Sequence, residues 1–426
     1  MATGFFEGDN LYRALESYTN QTGKRALTVS WFSECLRNMN KLQVCTIAKS
    51  QFAEGKTFLH RAVKENDKKL IECMVSYISA EHLAEILSIQ DDCKSSVLHD
   101  ASSFGCTDIV KCLLNPLQPE RKDFLILKED DLKCTALHCA SLKGHPDMVR
   151  YLLDSASLRS KNKLILKEDY SGSTPLHDAS NVGNTETTEY LLDSISPEYR
   201  DMLILKEINT KCTALHIAIS SGHTDIVKQL LDSISPESRD TLILKENHKK
   251  HTALHSACIE GHTDIAKYLL KSISPESRDT LILKEDGINC TALYYASLEE
   301  DAMKCLVDSV SQKSRDTLIL KENNGRGTAL HHASREGYTD MVKYLLDSIS
   351  PESRNTLILK EDDSKCTALH RASMEGHTDI VKHILESTFH PSRQSLLQVL
   401  DETGCTALDY ALNHRHSAIS RYLQDA

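Results

Sequence analysis

Aromatic residues are scarce in this chain of 426 residues: Phe, Trp and Tyr together make up 5%, and Trp31 is the single tryptophan. So little ring surface argues against a stacking platform for single-stranded nucleic acid. Proline and glycine are also few, at 9 and 16 residues, which excludes collagen-like and linker-rich architectures. Cations do not dominate, because 50 Lys and Arg face 61 Asp and Glu for a formal charge of −11. That balance is wrong for a protein whose main contact is a phosphate backbone. No stretch approaches the ~20 apolar residues of a helical membrane span, and residues 1–30 lack the basic start and apolar run of a secretory signal.

Cysteine is present, but not in a pattern that carries chemistry. The 14 thiols contain no CxxC, and the close pairs Cys106/Cys112 and Cys134/Cys139 do not match zinc-ligand spacing. Five of them, Cys134, Cys212, Cys290, Cys366 and Cys405, stand at one equivalent position just before a Thr. The expectation is a set of half-buried thiols in a reducing compartment, the cytoplasm or alternatively the nucleus.

What the chain has in abundance is repetition. A Thr, once a Ser, followed two residues later by Leu recurs at 57, 96, 135, 174, 213, 252, 291, 328, 367 and 406. The interval is 39 residues except for 37 between Thr291 and Thr328. Units of this kind stack on one another instead of forming separate domains. In the unit that starts at Thr252, Thr252 is an N-cap, and Leu254 and Ala257 give a short first helix one apolar face. Gly261 ends that helix, Thr263 and Asp264 start a second as cap and first-turn acid, and Ile265, Leu269 and Leu270 form its buried stripe.

The pattern Thr-Ala-Leu-His…Gly-His-Thr-Asp-Ile-Val-Lys-x-Leu-Leu resembles the ankyrin repeat, and Thr174-Pro-Leu-His177 carries that family's Thr-Pro-Leu-His outright. The resemblance covers about residues 50–426. It implies an all-α ankyrin-type helical solenoid of about ten repeats, each with two antiparallel helices. The family's usual period is 33 residues, so each unit here carries six extra, after the second helix. Segments such as Ser274-Pro-Glu-Ser-Arg-Asp-Thr-Leu-Ile-Leu-Lys-Glu285 open with an N-cap Ser and Pro at the first helical position, which predicts a short third helix in the connector. Its Leu-Ile-Leu triplet is expected to pack under the next repeat, with an extended run as the alternative.

Residues 1–50 read as a degenerate N-terminal capping repeat ahead of the array at 51–426. Val29–Leu36 can be laid over a second helix, and Trp31 is expected to cover the open end. The polar residues His414, Arg415, His416, Arg421 and Gln424 suit a C-terminal cap. The unit at Thr291 loses its Gly-His and replaces the consensus His with Tyr294, so a hinge or bend is expected over 291–310.

Of the 20 His, twelve occupy repeat positions, where they are expected to bond turn backbone and link successive units. Phosphate loops, HExxH and dinucleotide fingerprints are absent, and a stacked array lacks the single deep pocket of most enzymes. The reading is a non-enzyme with no catalytic, cofactor or metal site and no cofactor. It is expected to be a monomer that neither binds nucleic acid nor inserts into membranes. The resemblance implies a protein-binding scaffold or adaptor, with a ubiquitin-ligase recognition subunit or a regulatory module of a larger signalling assembly as alternatives. Partners would dock on the concave groove and the turn tips. The tip residues singled out are Tyr170 and the basic run His248, Lys249, Lys250 and His251, a contact for an acidic partner segment. On the first helices, Tyr295, His332, Arg371 and Tyr410 follow the Leu-His position as large amphipathic side chains suited to anchoring an interface.

Overall fold

In the computed structural model, which describes residues 12–15, 29–297 and 299–426, a full repeat folds into three short helices. For the Thr252 repeat these are Ala253–Ile259, Thr263–Ser272 and Pro275–Leu283. Leu254, Ala257, Ile265, Leu269 and Leu270 are at most 3% exposed, so the two predicted apolar faces are the ones that pack.

The first helix is capped by Thr and His together. Thr252 Oγ1 accepts the His255 N–H at 3.4 Å, and the Thr252 N–H donates to His255 Nδ1 at 3.3 Å. This is a capping box with His in the role usually taken by Glu or Gln. Because Nδ1 accepts an N–H, the ring proton sits on Nε2, which donates to the Cys290 carbonyl of the next repeat at 3.2 Å. His99 and His138 reach Cys134 O and Ser173 O in the same way, at 3.0 and 3.2 Å. Each such His caps its own helix and ties it to its neighbour.

The second helix starts differently from expectation. Its N-cap is His262, and Thr263 is the first helical residue, with Asp264 still in the first turn. The His at this position reaches backward across the preceding Gly: His145 Nε2 bonds the Ser103 carbonyl at 3.1 Å and His377 Nε2 the Arg335 carbonyl at 3.0 Å. A Cβ on Gly105 would lie 2.7 Å from His145 Nδ1, and one on Gly337 2.5 Å from His377 Cε1. Glycine is therefore required both for its positive φ and for the room it leaves the ring.

The six added residues build the third helix. Ser274 is its N-cap and Pro275 its first residue, and the Ser274 N–H also donates to Asp240 Oδ1 of the preceding repeat at 3.0 Å. The Leu-Ile-Leu triplet is helical rather than extended, except that its last Leu closes or caps the turn. Leu281 and Ile282 are fully buried and Leu283 is only half-buried. Its following Lys and Glu form ion pairs from repeat to repeat, including Lys321–Glu285 at 2.6 Å.

Two compact units divide the chain, Met1–Asn209 and Thr210–Ala426. In the first, helices Val29–Arg37 and Lys41–Ala48 precede the repeats at Thr57, Ser96, Thr135 and Thr174. Val29–Arg37 packs on Lys68–Ser76, the second helix of the Thr57 repeat. Its inward residue is Phe32, fully buried with its ring 5.2 Å from Phe58, whereas Trp31 is 37% exposed. Phe32, and not Trp31, is the residue of this helix that turns inward. Most of residues 1–28 lies outside the described residues.

The second unit holds the repeats at Thr213, Thr252, Thr291, Thr328, Thr367 and Thr406. The Thr291 repeat has a first helix of only five residues, Ala292–Ala296, because Tyr294 cannot close the box that His closes elsewhere. In the Thr406 repeat Asp409 takes over, accepting the Thr406 N–H at 2.8 Å. Among the described residues no helix is long and apolar enough to cross a membrane.

Candidate protein-binding surface

In eight of the ten copies the tip that precedes the Thr or Ser is built around an acidic or amide side chain five residues upstream. Asp130 Oδ1 accepts the N–H groups of Leu132 and Cys134, both at 2.8 Å. Asp169, Asn247, Asp286, Asp362 and Asp401 do the same in their repeats. Sequence reasoning passed over these residues, although Asp or Asn stands there in eight of the ten copies. Three residues on, the chain turns through the left-handed region, and Lys94, Lys133, Lys211, Lys250, Arg326 and Lys365 hold φ between 55° and 60°.

Neighbouring tips are joined by one backbone bond per repeat. In the first unit Asp131 N donates to Cys93 O at 3.0 Å and Tyr170 N to Leu132 O at 2.8 Å. In the second, His248 N donates to Thr210 O at 3.0 Å, and Gly287 N to Lys249 O and Asn324 N to Ile288 O at 2.9 Å each. A ladder of this kind fixes where each tip side chain stands.

The residues proposed on the first helices are less free than their sequence suggests. Tyr295 Oη donates to Asp286 Oδ2 at 2.6 Å, Tyr410 Oη to Asp401 Oδ2 at 2.5 Å, and Arg371 Nε to Asp362 Oδ2 at 2.8 Å. All three are half-buried and brace the carboxylate that builds their own tip. The bond to Asp401 and burial raise the Tyr410 hydroxyl to about 12. His332 differs: its Nδ1 lies 3.0 Å from Ser297 Oγ and its ring 5.1 Å from that of Tyr294. At two of the equivalent positions in the first unit, Asp100 and Asp178, an acid stands near the carboxylate of its own tip, Asp91 and Asp169. Burial, with Asp91 adding, raises Asp100 to about 6; burial outweighs a Ser173 hydrogen bond to raise Asp178 to about 7.

Of the basic run, His248, Lys249 and Lys250 are exposed. His251 is not part of that surface: its Nε2 is 3.3 Å from Asp286 Oδ2, and its ring stacks on His255 at 6.0 Å. Tyr170 is 72% exposed at its tip, with Lys133 Nζ 5.7 Å from the ring centroid.

Beside the Thr328 tip lies a cavity of about 190 Å³, lined by Tyr294, His332, Arg335, Arg371 and the turn at Asn323, Gly325 and Gly327. Gly327 stands where the other nine copies carry a side chain. A Cβ there would meet nothing closer than Asn323 Oδ1 at 3.5 Å, so the missing side chain leaves usable space. Among the described residues no group of three or more His, Cys, Asp or Glu could hold a metal ion. None of the fourteen cysteines is in a disulfide.

Residues 98–201, 199–279, 279–356 and 350–426 match the family model described as ankyrin repeats in three copies. Repeats of this family generally mediate protein–protein interaction. No curated protein matches the chain.

Proposed function

We propose that this chain, which belongs to the ankyrin-repeat family, is a non-enzymatic scaffold or adaptor that holds partner proteins along its tips and the adjoining first-helix positions. The observation that carries this reading is a contrast. The backbone of eight of the ten tips is held by the same carboxylate or amide turn, and neighbouring tips share the same backbone bond, while the exposed side chains differ from tip to tip. A surface set in advance loses little ordering entropy on docking, and its specificity comes from the side chains it displays. Tyr170, His248, Lys249 and Lys250 supply direct contacts in this reading. Tyr295, Arg371 and Tyr410 hold the tips in place, His332 lines the cavity beside the Thr328 tip, and His251 packs behind its own tip against Asp286. The protein acts as a monomer without cofactor, in the cytoplasm or nucleus.

Affinity capture with the tagged full chain, read by mass spectrometry, tests the proposal. The variants are Lys249→Glu with Lys250→Glu, and Gly327→His, which fills the cavity with a side chain the Thr252 repeat carries at the same place. At least one reproducible partner is expected to fall by about tenfold in one variant while the fold is kept. If the wild-type chain captures nothing reproducibly, or both variants capture the same set undiminished, this surface is not the site.

A further inference from the structure

Four successive tips of the second unit differ from the rest of the molecule in charge. Thr210-Lys-Cys212, His248-Lys-Lys250, Gly287-Ile-Asn289 and Asn324-Gly-Arg326 contain four cations and no Asp or Glu, in a chain whose net charge is −11. Lys211, Lys249 and Lys250 are exposed and form no ion pair with any described residue, and Arg326 approaches Glu322 only at 4.0 Å. In the first unit the matching cations are engaged: Lys94 pairs with Asp131 at 2.9 Å, and Lys133 lies over the Tyr170 ring. Lys211, Lys250 and Arg326 occupy left-handed backbone that Gly55, Gly172 and Gly404 occupy in other copies without strain. Between the cations Ile288 stands out at 54% exposure. Backbone bonds from His248 to Thr210, Gly287 to Lys249 and Asn324 to Ile288 join the four tips into one edge.

We infer that this edge takes an extended acidic segment of a partner protein, with one apolar side chain set against Ile288. The inference rests on the protein-binding reading above and names the chemistry of its partner. Stacked helices lie ~8–10 Å apart, and an extended chain advances ~3.3 Å per residue. One tip therefore meets about every third residue of the segment, which spans about ten residues in all. A polyphosphate is the weaker fit, because the acidic body of the protein repels it and Ile288 has no role in holding it.

The test is fluorescence anisotropy with the full chain and a labelled peptide of about twelve residues. The peptide carries glutamate at every third position except one, where leucine stands, and serine elsewhere. Binding is expected to weaken as salt rises, by about tenfold in K249E/K250E and about threefold in I288S or in a peptide with serine for the leucine. K249A/K250A should fall between the wild type and the charge reversal, with circular dichroism unchanged in every variant. The inference is overturned if K249E/K250E binds the peptide as the wild type does, if no acidic peptide binds, or if a thymidine oligonucleotide of similar length binds as tightly. Partners captured by the wild type and kept by K249E/K250E sink this inference alone; a chain that captures no protein sinks the reading beneath it.

Discussion

In seven repeats the first-helix histidine (60, 99, 138, 177, 255, 331 and 370) has both ring nitrogens committed, Nδ1 to the cap of its own repeat and Nε2 to the next. A second proton would have to sit on Nδ1, facing the Thr N–H. Burial accordingly lowers the ring, to about 4 for His60, His177 and His255, and lowers His99, His138, His331 and His370 as well. As pH falls below about 6.5 the unfolded chain takes up protons that the folded chain refuses, so stability falls with it. Asp100 and Asp178 act in the opposite sense, since their raised values favour the fold at low pH and lose that contribution as pH rises toward 6 and 7. Seven histidines outweigh two acids, and Tm should decline steadily from pH 6.5 to pH 4. Asp178→Asn should raise Tm at pH 8 by about 2 °C and steepen the decline in acid. A Tm that is flat between pH 6.5 and 4 would contradict the histidine account.

The strained tips make a second prediction at this scale. Lys365 has φ 57° and is exposed, so Lys365→Gly should stabilise by about 0.5–1 kcal/mol, the relief of αL strain less the entropy glycine adds to the unfolded chain. Urea denaturation measures it; a destabilised variant would mean the lysine side chain is itself structural.

At the scale of the element, the added third helix is held by its start more than by its length. The Ser274 N–H and hydroxyl both donate to Asp240 of the preceding repeat, and Ser350 repeats the arrangement with Asp316. Asp240→Ala leaves two part-buried donors without that acceptor, and a loss of about 1–2 kcal/mol in urea denaturation is expected. Asp240→Asn should cost less, because Oδ1 can still accept the N–H.

This helix was legible in the sequence because Ser-Pro-Glu is a local signal, as was the alternation of apolar positions in the first two. What could not be read were pairings between residues distant in sequence or hidden by composition. A His takes the place of Thr as cap where its ring reaches a carbonyl of the preceding repeat, as at His145 and His377, a fact of stacking. Tyr295, Arg371 and Tyr410 looked like free anchors because the carboxylates they bond stand nine residues upstream in a turn read as variable. Phe32 and Trp31 are adjacent, and only the packed neighbour decides which turns inward.

Over the whole molecule, the stability of stacked repeats is close to a sum of units and nearest-neighbour terms, so the unit with the fewest ties should open first. That is the Thr291 repeat, with its five-residue first helix and no histidine cap. Its amides at 292–297 should exchange about fivefold faster than those at 253–258 or 329–334, matching the loss of ~1 kcal/mol of capping. Equal protection in the three segments would remove the case for a hinge.

The bonds between neighbouring tips have a further consequence, for where the chain can tolerate a change of length. A residue gained or lost inside a tip would throw its amide and carbonyl out of step with both neighbours at once, breaking two rungs and the carboxylate turn together. A gain or loss between the first and second helices disturbs one repeat only. The sole irregular interval, 37 residues instead of 39, lies there: the Thr291 repeat is short at its first helix, and its tip still bonds Lys249 O on one side and Asn324 N on the other. The tips thus act as a ruler that spaces the displayed side chains evenly, leaving identity as the one variable by which this surface can change its partner.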